Sequence, residues 1–118
     1  MSEKPYMSGQ PNDDSTPYGT AKLSNAERER LALLAEEMGA AIYIIGKILR
    51  LGYRTRRLAD HGAEFNRTSL ERNLADVRVA MDLMEKAGDI SFLQIDLFAE
   101  RKAARVAQYM SHQPPPKK

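Results

Sequence analysis

The sequence predicts an all-α protein, and three observations predict it. Apolar residues recur at steps of three and four through successive stretches, the period of one helix face. Two of these stretches open on a Ser followed three residues later by Glu or Gln, a helix-start signal. No run shows the two-residue alternation of a half-buried strand. The helices are unequal, and the first is too long for the other two to cover. The expected fold class is therefore a helical bundle completed by dimerisation or tetramerisation. The expected domain plan is a disordered or extended arm over 1–22, a helical domain over 23–112 and a disordered tail over 113–118.

Composition narrows the setting. At 118 residues the chain is one domain. It has no cysteine, which removes disulfides and thiolate metal sites and makes the cytoplasm the simple expectation. A formal net charge of +2 gives no bulk attraction to nucleic acid, and no reader motif is present. The first twenty residues are polar, with no signal-peptide core. The most apolar run, 40–51, is interrupted by Gly46, Lys47 and Arg50, so no membrane span is expected.

In the arm, Pro5, Pro11 and Pro17 stand among Ser, Asp and Asn, a composition that buries too little apolar surface to offset its ordering entropy. Tyr6, Met7 and Tyr18 offer a second reading, an arm lying along a neighbouring subunit. The first helix starts at the capping box Ser24/Glu27, runs to about Leu51 and stops at Gly52. Its expected buried stripe is Leu31, Leu34, Met38, Ala41, Ile45 and Ile48. A loop punctuated by Gly52 and Gly62 follows, made basic by Arg54, Arg56 and Arg57. The second helix should start at a cap among residues 66–69 and bury Leu70, Leu74, Val77, Met81 and Met84, ending at Gly88. The third has Ser91 and Gln94 as a capping box, with Ile90 and Ile95 as the hydrophobic staple. It runs to about Met110 through Phe92, Phe98, Val106 and Tyr109, before Pro114 stops it.

Beside the first stripe stands the acidic pair Glu36 and Glu37; beside the second stand Asn73 and Asp76. Helices that bury their stripes together bring these flanks together, and residues three or four apart on each point the same way. The shared flank reads as a metal site, as a former metal site or as a solvated edge. For the solvated edge, Asp76 pairs with Arg72 or Arg78. Met38, Met81 and Met84 read as core filler. His61 and His112 lack a metal-ligand spacing.

Leu34-Ala35-Glu36-Glu37-Met38-Gly39-Ala40-Ala41, its continuation Ile45-Gly46-Lys47-Ile48-Leu49-Arg50, and Leu74-Ala75-Asp76-Val77 resemble the MazG-like nucleoside triphosphate pyrophosphohydrolases. The resemblance covers roughly residues 27–112. It implies an all-α dimer or tetramer that holds Mg²⁺ with Glu-Glu-x-x-Glu on one helix and Glu-x-x-Asp on the next. Such enzymes cleave NTPs or dNTPs to monophosphate and pyrophosphate. Glu36, Glu37 and Asp76 match the pattern; Ala40 and Asn73 stand where it has acids, and the link between the motifs is long. The implied catalytic residues are Glu36, Glu37 and Asp76, and the implied metal ligands are Glu37, Asn73 and Asp76, with Mg²⁺ binding weakened or lost because ligand charge helps set affinity. Lys47, Arg54, Arg56, Arg57, Lys102 and Arg105 are the candidate phosphate ligands.

Three functions follow. The first is a nucleotide-binding or sequestering relative with little or no hydrolysis. The second is a Mg²⁺-dependent pyrophosphohydrolase that tolerates Ala40 and Asn73. The third is a helical scaffold for protein contacts. In each the expected partner set includes a second copy of the chain.

Overall fold

The computed structural model describes residues 22–55 and 64–114. They form three helices and no strand: α1 (Asn25–Leu51), α2 (Asn66–Lys86) and α3 (Phe92–Val106). The class is all-α. The arm up to residue 21, the tail from 115, and the loop residues Arg56, Arg57, His61 and Gly62 lie outside the described residues.

The local signals explain the helix ends. Ser24 Oγ accepts from the Glu27 N–H at 3.0 Å, and Glu27 Oε1 accepts from the Ser24 N–H at 2.8 Å, so the box is closed in both directions. Gly52 ends α1 with a φ of 96°, a backbone state that a Cβ disfavours. At the start of α2 the expected side-chain cap is absent: Phe65 occupies the cap position and makes no such bond. Asn66 is used otherwise. Its side-chain amide donates to the Gly52 carbonyl at 3.0 Å, its backbone N–H donates to the Thr55 carbonyl at 2.9 Å, and the residue is 2% exposed. Asn66 thus closes the α1–α2 loop, with Arg67 N–H adding a bond to the Tyr53 carbonyl. α3 starts at Ser91, whose hydroxyl accepts from the Gln94 N–H. It ends at Val106, short of Met110, as turns take over through 107–109.

α1 and α2 pack as an antiparallel hairpin, and two polar contacts pin its ends. At the loop end Asn66 holds Gly52. At the open end Arg30 grips Asp89, with Nε to Oδ2 at 2.6 Å and Nη2 to Oδ1 at 3.1 Å, a bidentate pair. Gly88, at φ 87°, turns the chain so that Asp89 faces back toward α1. These contacts set the register: Ala41 falls level with Val77, and Leu34 with Met84.

Burial follows the register. Ala41 and Ile44 of α1 and Ala80 and Met84 of α2 are buried, with Leu34, Glu37, Ile48, Leu70, Asn73 and Val77 half-buried along the same seam. The buried stripes therefore differ from the expected ones. Leu31, Met38 and Ile45 are exposed, as is Leu74, while Ile44 and Ala80 take inner positions. The α1 contact face runs 30, 34, 37, 41, 44, 48, rotated from the predicted stripe by a fraction of a turn. α1 is apolar over an arc wider than one neighbour can cover, so period alone does not choose the contact strip; Arg30 and Asn66 do. α3 buries no residue completely: Phe92, Ile95 and Val106 are half-buried, whereas Phe98 and Tyr109 are exposed.

Two outcomes follow. Asn66→Ala removes a buried bond and leaves the Gly52 carbonyl unpaired, so it should lower unfolding stability by about 1–3 kcal/mol, read from a urea midpoint. The Arg30 guanidinium bonded to Asp89 holds that carboxyl below its ordinary value of 3.8. A depressed folded pKa contributes stability that is complete above the unfolded value and is lost as pH falls through the folded one. Thermal midpoints of the wild type should therefore drop as pH falls below about 3.8, and Asp89→Asn should show a shallower drop over that window.

Candidate functional site

Glu36, Glu37, Asn73 and Asp76 lie on the α1–α2 hairpin. At about 100° per residue, Ala40, Lys47 and Glu36 fall on one flank of the α1 contact strip, and Glu37 sits on the strip's edge toward that flank. On α2 the corresponding flank carries Asn73 and Asp76. In an antiparallel pair these two flanks fall on the same side, so the hairpin turns all of them toward one edge. The register spreads them along it. Asp76 falls level with Ile42, and Asn73 with Ile45. Ala40 is the α1 flank residue nearest the level of Asp76, two positions away, or about 3 Å along the axis. Glu37 stands five positions away, about 7 Å.

The individual environments differ. Glu36 and Asp76 are exposed, and Glu37 and Asn73 are half-buried. Arg72 does not pair with Asp76. Its Nη2 donates to Glu64 Oε1 at 2.8 Å, and the Ser69 hydroxyl donates to the other Glu64 oxygen at 2.9 Å. The Arg72 bond, then the Ser69 bond, lowers the Glu64 pKa from its ordinary value. Arg72 is thereby committed to Glu64 across the loop end, and Asp76 reaches it only through the field that helps to raise the Arg72 pKa. Neither Arg78 nor Arg72 forms an ion pair with Asp76 among the described residues. The Arg72–Glu64 pair had no spacing signal in the sequence, because Glu64 precedes the helix.

Among the described residues, no group of three or more His, Cys, Asp or Glu side chains comes together closely enough to hold a metal ion. A Mg²⁺ site needs several oxygens at close to 2 Å in octahedral geometry. Of Glu37, Asn73 and Asp76, only two are carboxylates.

The basic candidates divide. Lys47 is half-buried on the same flank, two positions from the level of Asn73, and Arg54 is exposed just past α1. Arg67 stacks over the Tyr53 ring at 5.7 Å, adding a cation at the loop end that was missed because it sits inside the cap region of α2. Lys102 and Arg105 are exposed on α3, away from this edge. A depression between α2 and α3, lined by Arg78, Met81, Asp82, Phe92, Ile95 and Asp96, opens on the opposite side. Along the flank, charge therefore changes sign: acids toward the open end of the hairpin and cations toward the loop. No helix among the described residues is long and apolar enough to cross a membrane.

No family model matches the chain, and neither a curated protein nor a solved structure matches it.

Glu37 is the one acid of this set on the packed seam, and it makes no hydrogen bond or ion pair among the described residues. Glu37→Leu should therefore raise unfolding stability by about 1 kcal/mol through added apolar burial. A lowered urea midpoint in this variant would show that the carboxylate supports the fold and is not held in reserve for a ligand.

Proposed function

We propose that this chain is a MazG-like nucleotide-binding protein that holds a nucleotide with little or no hydrolysis. The observation that carries the reading is the composition of the hairpin flank. Glu36, Glu37 and Asp76 stand there without ion-pair partners, Ala40 and Asn73 replace two acids, and no group of acids gathers as a metal cage among the described residues. With fewer carboxylates, the flank repels a polyphosphate less. Lys47 and Arg54 at the loop end supply cations to which phosphate oxygens bond strongly. Arg56 and Arg57 adjoin them in the sequence. The nucleotide would lie along the edge with its phosphates at the loop end. The protein acts as a homo-oligomer, most simply a dimer, in the cytoplasm.

The second reading is an active Mg²⁺-dependent pyrophosphohydrolase. The retention of Glu36, Glu37 and Asp76 favours it. The third, a scaffold for protein contacts, is what remains if no nucleotide binds.

The test combines turnover with retention. The purified protein is incubated with the common NTPs and dNTPs in Mg²⁺ or Mn²⁺, and monophosphate and pyrophosphate are quantified. The expected result is little or no product, with labelled nucleotide retained on desalting and lost in Lys47→Ala. Stoichiometric monophosphate and pyrophosphate, abolished by Glu37→Ala, would establish the enzyme instead. Absence of all nucleotide binding in both Mg²⁺ and EDTA would leave the scaffold.

A gain-of-function pair probes the placement itself. Ala40→Glu sets a carboxylate between the levels of Glu37 and Asp76, and Asn73→Glu restores the second missing charge. The double variant should bind Mg²⁺ more tightly than the wild type by at least tenfold in calorimetry. If its Mg²⁺ affinity equals that of the wild type, these five positions do not surround one site.

A further inference from the structure

Charge is not spread evenly over the molecule. Residues 43–55 and 64–72 form the loop end of the hairpin and the helix turns that lead into it. They carry five Lys and Arg against two Asp and Glu, and the rest of the described residues carry eight against ten. The formal net charge of +2 for the chain hides this division. Of the two acids at the loop end, Glu64 is spent on Arg72 and Ser69. From 38 to 55 the sequence holds no acid at all. Lys47, Arg50, Arg54 and Arg67 remain, and none of them forms an ion pair among the described residues. Uncommitted cations gathered at one end of a protein set up a local field that draws in a polyanion, whatever the net charge of the chain.

Two tyrosines stand among these cations. Tyr43, Lys47 and Arg50 follow at steps of four and three along the outer side of α1. Tyr43 is 67% exposed. A Cβ at Gly46 would come within 3.9 Å of an Arg50 guanidinium nitrogen, so Arg50 reaches back along the helix past Gly46, toward the level of Lys47. At the loop end Arg67 lies over the Tyr53 ring at 5.7 Å, and Tyr53 stays 51% exposed. The loop that presents this ring is held in place. Asn66 bonds to the Gly52 and Thr55 carbonyls, and the Arg67 N–H donates to the Tyr53 carbonyl. Neither tyrosine is buried in the α1–α2 seam.

Cations spaced along a track, with exposed aromatic rings between them, match the chemistry of a single-stranded polynucleotide. Its phosphates recur and bond to successive cations, and its unpaired bases offer faces that stack on tyrosine. A duplex fits less well. Its bases are already stacked on one another, and a persistence length of about 50 nm keeps it straight over a track that turns from the side of α1 round the loop. A mononucleotide has its phosphates in one place and leaves the cations at the other end of the track unused. We infer that Tyr43, Lys47, Arg50, Tyr53, Arg54 and Arg67 form a binding surface for single-stranded nucleic acid. This surface goes beyond the nucleotide reading and shares only Lys47 and Arg54 with it.

The test uses the full chain and fluorescein-labelled oligo(dT) and oligo(U) of about 20 nucleotides, with a duplex of the same length, followed by anisotropy. At about 50 mM salt both single strands should bind more tightly than the duplex, and about 200 mM salt should weaken them about fiftyfold, the dependence for four neutralised phosphates. Tyr53→Ala should weaken binding about fivefold or more, the loss of one stacked base. Arg67→Glu should weaken it at least as much. Arg101→Glu makes the same charge change at an exposed position on α3 and should alter binding less than about twofold. Circular dichroism should show the same helicity in all variants. Retention of labelled mononucleotide is measured in parallel. Oligonucleotide binding without mononucleotide retention would support this surface and overturn the nucleotide reading. No oligonucleotide binding up to about 100 μM protein, with mononucleotide retained, would overturn this surface and leave that reading standing. Equal weakening by Arg101→Glu and Arg67→Glu would show attraction to the whole chain and overturn the placement. Equal binding of the duplex would overturn the single-strand assignment. Displacement by free mononucleotide as effective as by unlabelled oligonucleotide would overturn the polymer assignment.

Discussion

The structure depends on how α1 is gripped by α2. α1 runs for 27 residues and is apolar around most of its circumference, so hydrophobic contact alone permits several rotations of the helix against its neighbour. Two directional contacts choose one. The Arg30 fork on Asp89 holds the open end, and the buried amide of Asn66 on the Gly52 carbonyl holds the loop end. Between them Ala41, Ile44, Ala80 and Met84 are sealed, and everything else on α1 is assigned to one flank or the other. A part-buried ion pair of this kind loses to desolvation much of what it gains by attraction, so it contributes less energy than the seam it aligns. Its effect is on geometry, because a guanidinium fork accepts a carboxylate only over a narrow range of angles.

Much of the fold was legible in the sequence because its signals are local. Ser24 with Glu27, and Ser91 with Gln94, marked the starts of α1 and α3 through bonds that span three residues. Gly52 and Gly88 marked ends that need a positive φ. The start of α2 was less well read. Asn66 has the chemistry of a cap, but its side chain is drawn to a carbonyl fourteen residues earlier, a contact visible only once the hairpin closes. The expected α1 stripe was half right for the same reason. It held both Leu31, Met38 and Ile45, which are exposed, and Leu34, Ala41 and Ile48, which lie on the seam. Which set meets α2 is decided by Arg30 and Asp89, far apart in sequence.

The candidate site divides along the same line. That Glu36, Glu37, Asn73 and Asp76 share one edge was legible, since helix period and antiparallel packing suffice to turn them together. Their spread along the axis was not, because it depends on the register set at the hairpin ends. Nor was the diversion of Arg72 to Glu64, which leaves Asp76 without a neutralising ion pair among the described residues. Arg56 and Arg57 lie outside the described residues, among which the loop-end cations are Lys47, Arg54 and Arg67.

The two flanks of α1 differ in character. On α1 the charged positions 36 and 47 and the exposed apolar positions 38, 42, 45 and 49 lie to either side of the seam. Glu37 is the exception, a carboxylate placed on the seam between Leu34 and Ala41. An unpaired acid there disfavours close packing at the middle of the hairpin, where a Leu or Met would be accommodated without cost. Its presence is intelligible if the edge is kept for a ligand that supplies the missing counter-charge. The seam, and not the exposed Glu36, is then where the functional reading is most exposed to measurement.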